Sequence, residues 1–178
     1  MLLLLLFKLI SSYVMYDLNI KAEWNRPVYI SSQIEQPHID RIHDAIYRYN
    51  IYLTTNNYLL PIINPITTTI DKSKNHIRIQ YNDDTNFNYK AYTTMFSRLH
   101  DDNTFKLENT IIKFNKILSD ELLVCVIMHE LGHSMGLGHS TVIPSIMNFT
   151  IYIIDNIIQQ PMEKCYLEID DIMGLISL

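Results

Sequence analysis

The sequence predicts an α+β fold, and three observations carry that reading. His76 to Tyr81 alternates apolar and polar residues with Ile77 and Ile79 on one face, the period of a half-buried strand. Ile39, Ile42, Ile46 and Tyr49 recur at helical spacing after Pro37, which suits a first helical turn, so a helix is predicted over 37–52. The third observation is the stretch from His129 to Ser140. His129 and His133 are four residues apart, so on a helix they lie one turn apart on a single face. At 178 residues, with 48% apolar and 19% charged side chains, the chain is long enough for one domain with a substantial core. The net charge of −5 argues against a nucleic-acid footprint and gives no general attraction to anionic membranes.

In chain order, residues 1–10 are an apolar run too short to span a bilayer. The run suits the core of a secretory signal peptide, although no basic residue precedes it and Lys8 interrupts it. A signal peptide and short leader are therefore predicted over 1–21, with the domain over 22–178; an uncleaved anchor is the alternative. Val28–Ile30, bounded by Pro27 and Ser31-Ser32, reads as the first strand. His38 and His43 then fall on the predicted helix as polar-face residues. Residues 53–75 have strand propensity around Ile62 to Ile70, but Pro61 and Pro65 interrupt it. After the strand at 76–81, Asn82 to Asn88 forms a polar turn, and Tyr89–Phe96 and Thr110–Phe114 are further strands. A second long helix is predicted from near Ser119, with Asp120 and Glu121 complementing its dipole and Leu122, Leu123, Val126 and Ile127 giving a broad apolar surface. Ile172, Leu175 and Ile176 give a last helix a packing stripe.

The His129–Ser140 stretch carries the chemistry. Two imidazoles at this spacing can grip one Zn²⁺, with Glu130 beside the metal as a base. Gly136 is placed to end the helix, because glycine tolerates the positive φ of a sharp turn, and His139 then returns as a third ligand. Three protein nitrogens leave a fourth position open for water, the catalytic rather than the structural arrangement. Three of the four glycines in the chain fall inside this stretch, which counts against a buried helix with incidental histidines. Cys125 and Cys165 are too few for a disulfide framework. Buried thiols are the expectation, a Cys125–Cys165 bridge is the alternative, and a closed site using Cys125 would leave His139 and Glu130 without a purpose.

The pattern His-Glu-x-x-His-x-x-Gly-x-x-His, followed by Met147 in Ser145-Ile146-Met147-Asn148, is similar to the metzincin signature and its methionine turn. Ser140 after the third histidine, and Asp170-Asp171-Ile172-Met173-Gly174-Leu175 near the C-terminus, resemble the matrixins. The likeness is sharp over 119–148 and 167–176, while over 22–118 only element order supports it. It implies a metzincin-like catalytic domain: a twisted, mostly parallel five-stranded sheet with an antiparallel edge strand, two long helices and a C-terminal helix. It further implies a secreted, monomeric zinc endopeptidase acting on proteins of the extracellular matrix or other extracellular substrates, with no stable membrane insertion.

By the same resemblance, Lys90 to Met95 is the edge strand lining the cleft. Lys90, Ala91 and Tyr92, together with Asn148, Phe149 and Ile151, are the substrate-binding candidates. Matrixins carry Tyr-Pro-x-Tyr where this chain has Asn148-Phe149-Thr150-Ile151, so pocket preference does not carry over. The second, structural zinc of the family is expected to be missing, because only His76 and His100 are available in that region. Asp83-Asp84 and Asp101-Asp102 could hold Ca²⁺, although solvated acidic turns explain them equally well. Neither a prodomain nor a hemopexin-like repeat is expected. The rival class is a catalytically silent, zinc-bound protein that binds proteases or inhibitors; Glu130 counts against it. Because the ligands must be neutral, metal and activity are expected to be lost together below the imidazole range.

Overall fold

The computed structural model describes residues 20–22, 26–55, 64–67, 75–83, 90–99, 105–141, 145–148, 165, 167, 171–172 and 174–175. They form a mixed α+β fold with strands β1 (Ile20–Ala22), β2 (Pro27–Ile30), β3 (Asn64–Thr67), β4 (Ile77–Tyr81), β5 (Ala91–Leu99) and β6 (Phe105–Phe114). Helix α1 (Gln36–Thr55) follows β2, and α2 (Asp120–Ser134) follows β6. Six strands are described where five were expected.

The additional strand is β1, which pairs parallel with the first residues of β6, Ile20 opposite Phe105. The sheet thereby reaches two residues into the leader predicted over 1–21. β4 pairs parallel with the second half of β6, and β2 lies between β3 and β4, parallel to both. A parallel pair cannot be joined by a tight turn, and α1 occupies the crossover from β2 to β3. Pro65 is accommodated because β3 pairs with β2 alone among the described strands, and an edge strand tolerates a missing N–H. β5 is the antiparallel strand; it pairs only with β6 among the described residues, so among them its other side is a sheet edge. Both β5 and β6 run longer than predicted, each extended where its ladder partner continues.

One core joins the sheet to the helices: Val28, Ile77, Ile79, Ile112 and Phe114 from the strands meet Ile42, Ala45, Ile46 and Tyr49 of α1 and the length of α2. Ser119 caps α2, its Oγ accepting the Leu122 N–H at 3.4 Å. At the other end Gly136 has φ 100°, and two backbone bonds close the turn: Gly136 N–H to His133 O, and Leu137 N–H to Gly132 O. That pair satisfies carbonyls a helix end would otherwise leave orphaned.

Two expectations are overturned. His38 is not on a polar face: it is buried, with Nδ1 2.8 Å from the Tyr81 hydroxyl and its ring against Phe114. His43 does face solvent. The cysteines are not free thiols. Cys125 and Cys165 form a disulfide with Cα atoms 5.2 Å apart, because the fold returns residue 165 to the middle of α2. Of the predicted C-terminal helix, Asp171, Ile172, Gly174 and Leu175 are described, and all four are buried with helical backbone.

Candidate metal centre

The helical period places His129 and His133 on one face of α2, and the turn at Gly136 brings His139 back to them. The three rings have centroids 4.7, 4.8 and 5.3 Å apart, with ligand atoms all within 4.8 Å of one another. His129 and His133 are buried while His139 is exposed, so the trio is open to solvent on one side.

The residues present fit a zinc ion. His129 Nδ1 lies 2.7 Å from the Ile146 carbonyl and His133 Nδ1 lies 2.7 Å from the Leu137 carbonyl. A carbonyl can only accept, so both rings carry their proton on Nδ1 and turn the Nε2 lone pair toward the centre. Burial, together with the neighbouring His133 and His139, pushes the pKa of His129 down to about 3. Burial lowers His133 to about 4 and lowers His139 as well. All three are therefore neutral at neutral pH, the form a metal requires.

Met147 is fully buried, its sulfur against Gly132 of α2, where an added Cβ would collide with it. The turn bearing it is held from a distance. Asp171 accepts from Ser145 Oγ at 2.6 Å and from the Ile146 N–H at 3.1 Å, and Ser140 N–H bonds Met147 O. Ile146 is the residue whose carbonyl orients His129, so the Asp171 carboxylate positions a histidine of the trio through one turn. Tyr49 of α1 lies within the field of that carboxylate; its pKa is raised by burial first and by the Asp171 charge second.

Glu130 is buried beside the ligands, and burial raises its pKa to about 7 against the opposing hydrogen bond from Thr93. The Thr93 hydroxyl donates to Glu130 Oε2 at 2.5 Å. Of the expected substrate-binding residues, Lys90, Ala91 and Tyr92 lie half-buried on or beside the edge of β5. Asn148 is buried within the methionine turn, its N–H on Ser145 O, and Phe149 and Ile151 lie outside the described residues. Asp83 is exposed; His100, Asp84, Asp101 and Asp102 lie outside the described residues.

Three residues that brace the site were not assigned these contacts from the sequence. Thr93 lies in the expected edge strand and Asp171 in the matrixin-like stretch, but their partners are 37 and 26 residues away, which no local spacing reveals. Arg26 is the third: buried, it donates to the Ser134 carbonyl at the end of α2 and to Thr110 Oγ1 at 2.8 Å. Its charge sits at the negative end of the α2 dipole, which favours it there. A lone arginine beside Pro27 carries no signal of this.

Three clustered histidines, a carboxylate on the same helix and a methionine turn packed on Gly132 between the two helical histidines define a metzincin-like zinc metalloprotease centre. The chain belongs to the matrixin family, whose model matches residues 68–178. Among solved structures it is similar to high choriolytic enzyme 1, a hatching enzyme zinc-protease from Oryzias latipes (medaka fish), at 18% identity and a TM-score of 0.39. That likeness covers 65% of this chain and 49% of the other, so the chain spans about half the length of that structure. No curated protein matches.

Proposed function

We propose that the protein is a secreted zinc endopeptidase that cuts extracellular proteins. The observation that carries this reading is Glu130, a buried carboxylate one residue from a ligand and oriented by its own hydrogen bond. A purely structural or binding zinc site has no use for it.

His129, His133 and His139 would hold Zn²⁺, which supplies Lewis acidity and lowers the pKa of a water in its open position. Glu130 takes the proton of the attacking water and passes it to the leaving amine. One carboxylate can serve both halves of that task, since the base that takes the proton can return it as an acid. The edge of β5 can pair with an extended peptide, whose main-chain hydrogen bonds hold the substrate whatever its sequence. Secretion is supported by the Cys125–Cys165 disulfide, which persists in oxidising compartments, and by the apolar N-terminal run. No helix among the described residues is long and apolar enough to cross a membrane.

The test is cleavage of a quenched-fluorescent peptide library by the chain purified under oxidising conditions. Chelator is expected to abolish cleavage, and Glu130→Gln to lower it by about 10²–10⁴-fold while zinc stays bound. One equivalent of zinc with no peptide cut would overturn the reading in favour of a zinc-bound binding protein.

A further inference from the structure

We propose that Thr93 is a positioning residue for Glu130, its hydroxyl fixing the carboxylate in one rotamer beside the ligands. The proposal rests on the endopeptidase reading and goes one residue beyond it. Glu130 is buried, and a buried carboxylate is costly unless donors meet it. Among the described residues, the Thr93 hydroxyl is the group that donates to it, at 2.5 Å, and the same oxygen lies 3.3 Å from the Glu130 main-chain carbonyl.

The sheet supplies the geometry. Thr93 stands opposite Ile112 in the antiparallel ladder of β5 and β6, and paired residues share a face. Ile112 is fully buried in the core, so Thr93 approaches from the same side, where α2 lies. Its β-branch leaves χ1 little freedom, which aims the hydroxyl as the strand dictates. Donation to Oε2 leaves Oε1 for the proton that catalysis moves. Because β5 also offers the sheet edge, a peptide paired there lies on the strand that holds the base.

Thr93→Val keeps the shape and removes the hydroxyl, while Thr93→Ser keeps the hydroxyl. Losing one hydrogen bond to a charged group predicts that Thr93→Val lowers kcat by about 10- to 100-fold with KM little changed. Thr93→Ser is expected to retain most of the rate, with zinc content and thermal midpoint at wild-type values in both variants. Crystal structures supply a readout independent of turnover: one Glu130 rotamer in wild type and Thr93→Ser, more than one in Thr93→Val. A Thr93→Val enzyme as fast as wild type, or a Thr93→Ser enzyme as slow as Thr93→Val, would overturn the proposal. If wild type cuts nothing, the endopeptidase reading fails separately. The Glu130 rotamer then decides the inference: disorder in Thr93→Val alone upholds it, and a single rotamer throughout sinks it.

Discussion

The two long helices bury themselves in different ways. α1 presents one face to the core, with Ile42, Ala45, Ile46 and Tyr49 inside and Arg41, His43 and Tyr47 outside. α2 has no outer face over most of its length: every side chain from Leu123 to Ser134 is buried, His129, Glu130 and His133 among them. Amphipathic periodicity therefore identifies α1 but is nearly silent on α2, which is recognised by the spacing of its polar residues. The chemical consequence is larger. A histidine on an outer face remains solvated, whereas the histidines and glutamate of α2 titrate far from their ordinary values because water is excluded.

The widest test of that contrast is pH. With His133 near 4 and His129 near 3, and exposed His139 also lowered, zinc should be retained below the imidazole range that the need for neutral ligands alone suggests, down to the pH at which His139 protonates. Once the pH passes beneath a ligand's pKa, affinity should fall by up to about tenfold per unit for that ligand. Titrating zinc content by equilibrium dialysis checks this; ring titrations of His129 and His133 by NMR in the metal-free protein isolate the α2 pair, and midpoints near 6.5 there would mean that they are solvated like surface histidines. The metal-free fold has two opposing dependences. The unfolded chain protonates its histidines near 6.5 and the fold only near 3–4, so their contribution falls as pH drops through that window. Glu130 acts oppositely, its contribution being lost as pH rises from 4.5 to about 7.

Next in size is the Cys125–Cys165 disulfide, which ties the middle of α2 to a residue 40 positions away and has no counterpart on α1. The closed loop contains all three ligands and Met147. Its removal in Cys125→Ser/Cys165→Ser should lower stability by about 4 kcal/mol on the chain-entropy model, read by urea denaturation. A loss under about 1 kcal/mol would show that packing alone holds α2 in place.

The smallest comparison sets one substitution on each helix side by side. Gly132→Ala gains intrinsic helix propensity, yet its Cβ meets the Met147 sulfur, so a net loss of about 1–3 kcal/mol is expected. Tyr47, 64% exposed on α1, should tolerate Tyr47→Ala within about 0.5 kcal/mol. Equal effects in thermal unfolding would remove the distinction between the helices.

What was legible in the sequence is what depends on neighbours along the chain. The helical period places His129 against His133, glycine's tolerance of positive φ stops α2 at Gly136, and alternation marks β4. Residues 53–75 were illegible because prolines mask the short strand β3, which exists only by pairing with β2. His38 was misplaced for a related reason: its position on α1 gives no hint of the Tyr81 hydroxyl that lets it be buried.

The sequence by itself determined which three histidines cluster, the carboxylate next to them on the helix, the turn between the second and third histidines, and the order of most elements. These are encoded in spacings of one to six residues, where backbone geometry leaves few alternatives. Only the tertiary structure decided that Cys125 meets Cys165, that Asp171 braces the turn behind His129, that Arg26 closes the end of α2, and that Thr93 reaches Glu130. Each of these joins residues about 25 or more positions apart. Such contacts form only when the whole sheet and both helices pack, because a residue's partner is then set by shared burial and register rather than by its place in the chain.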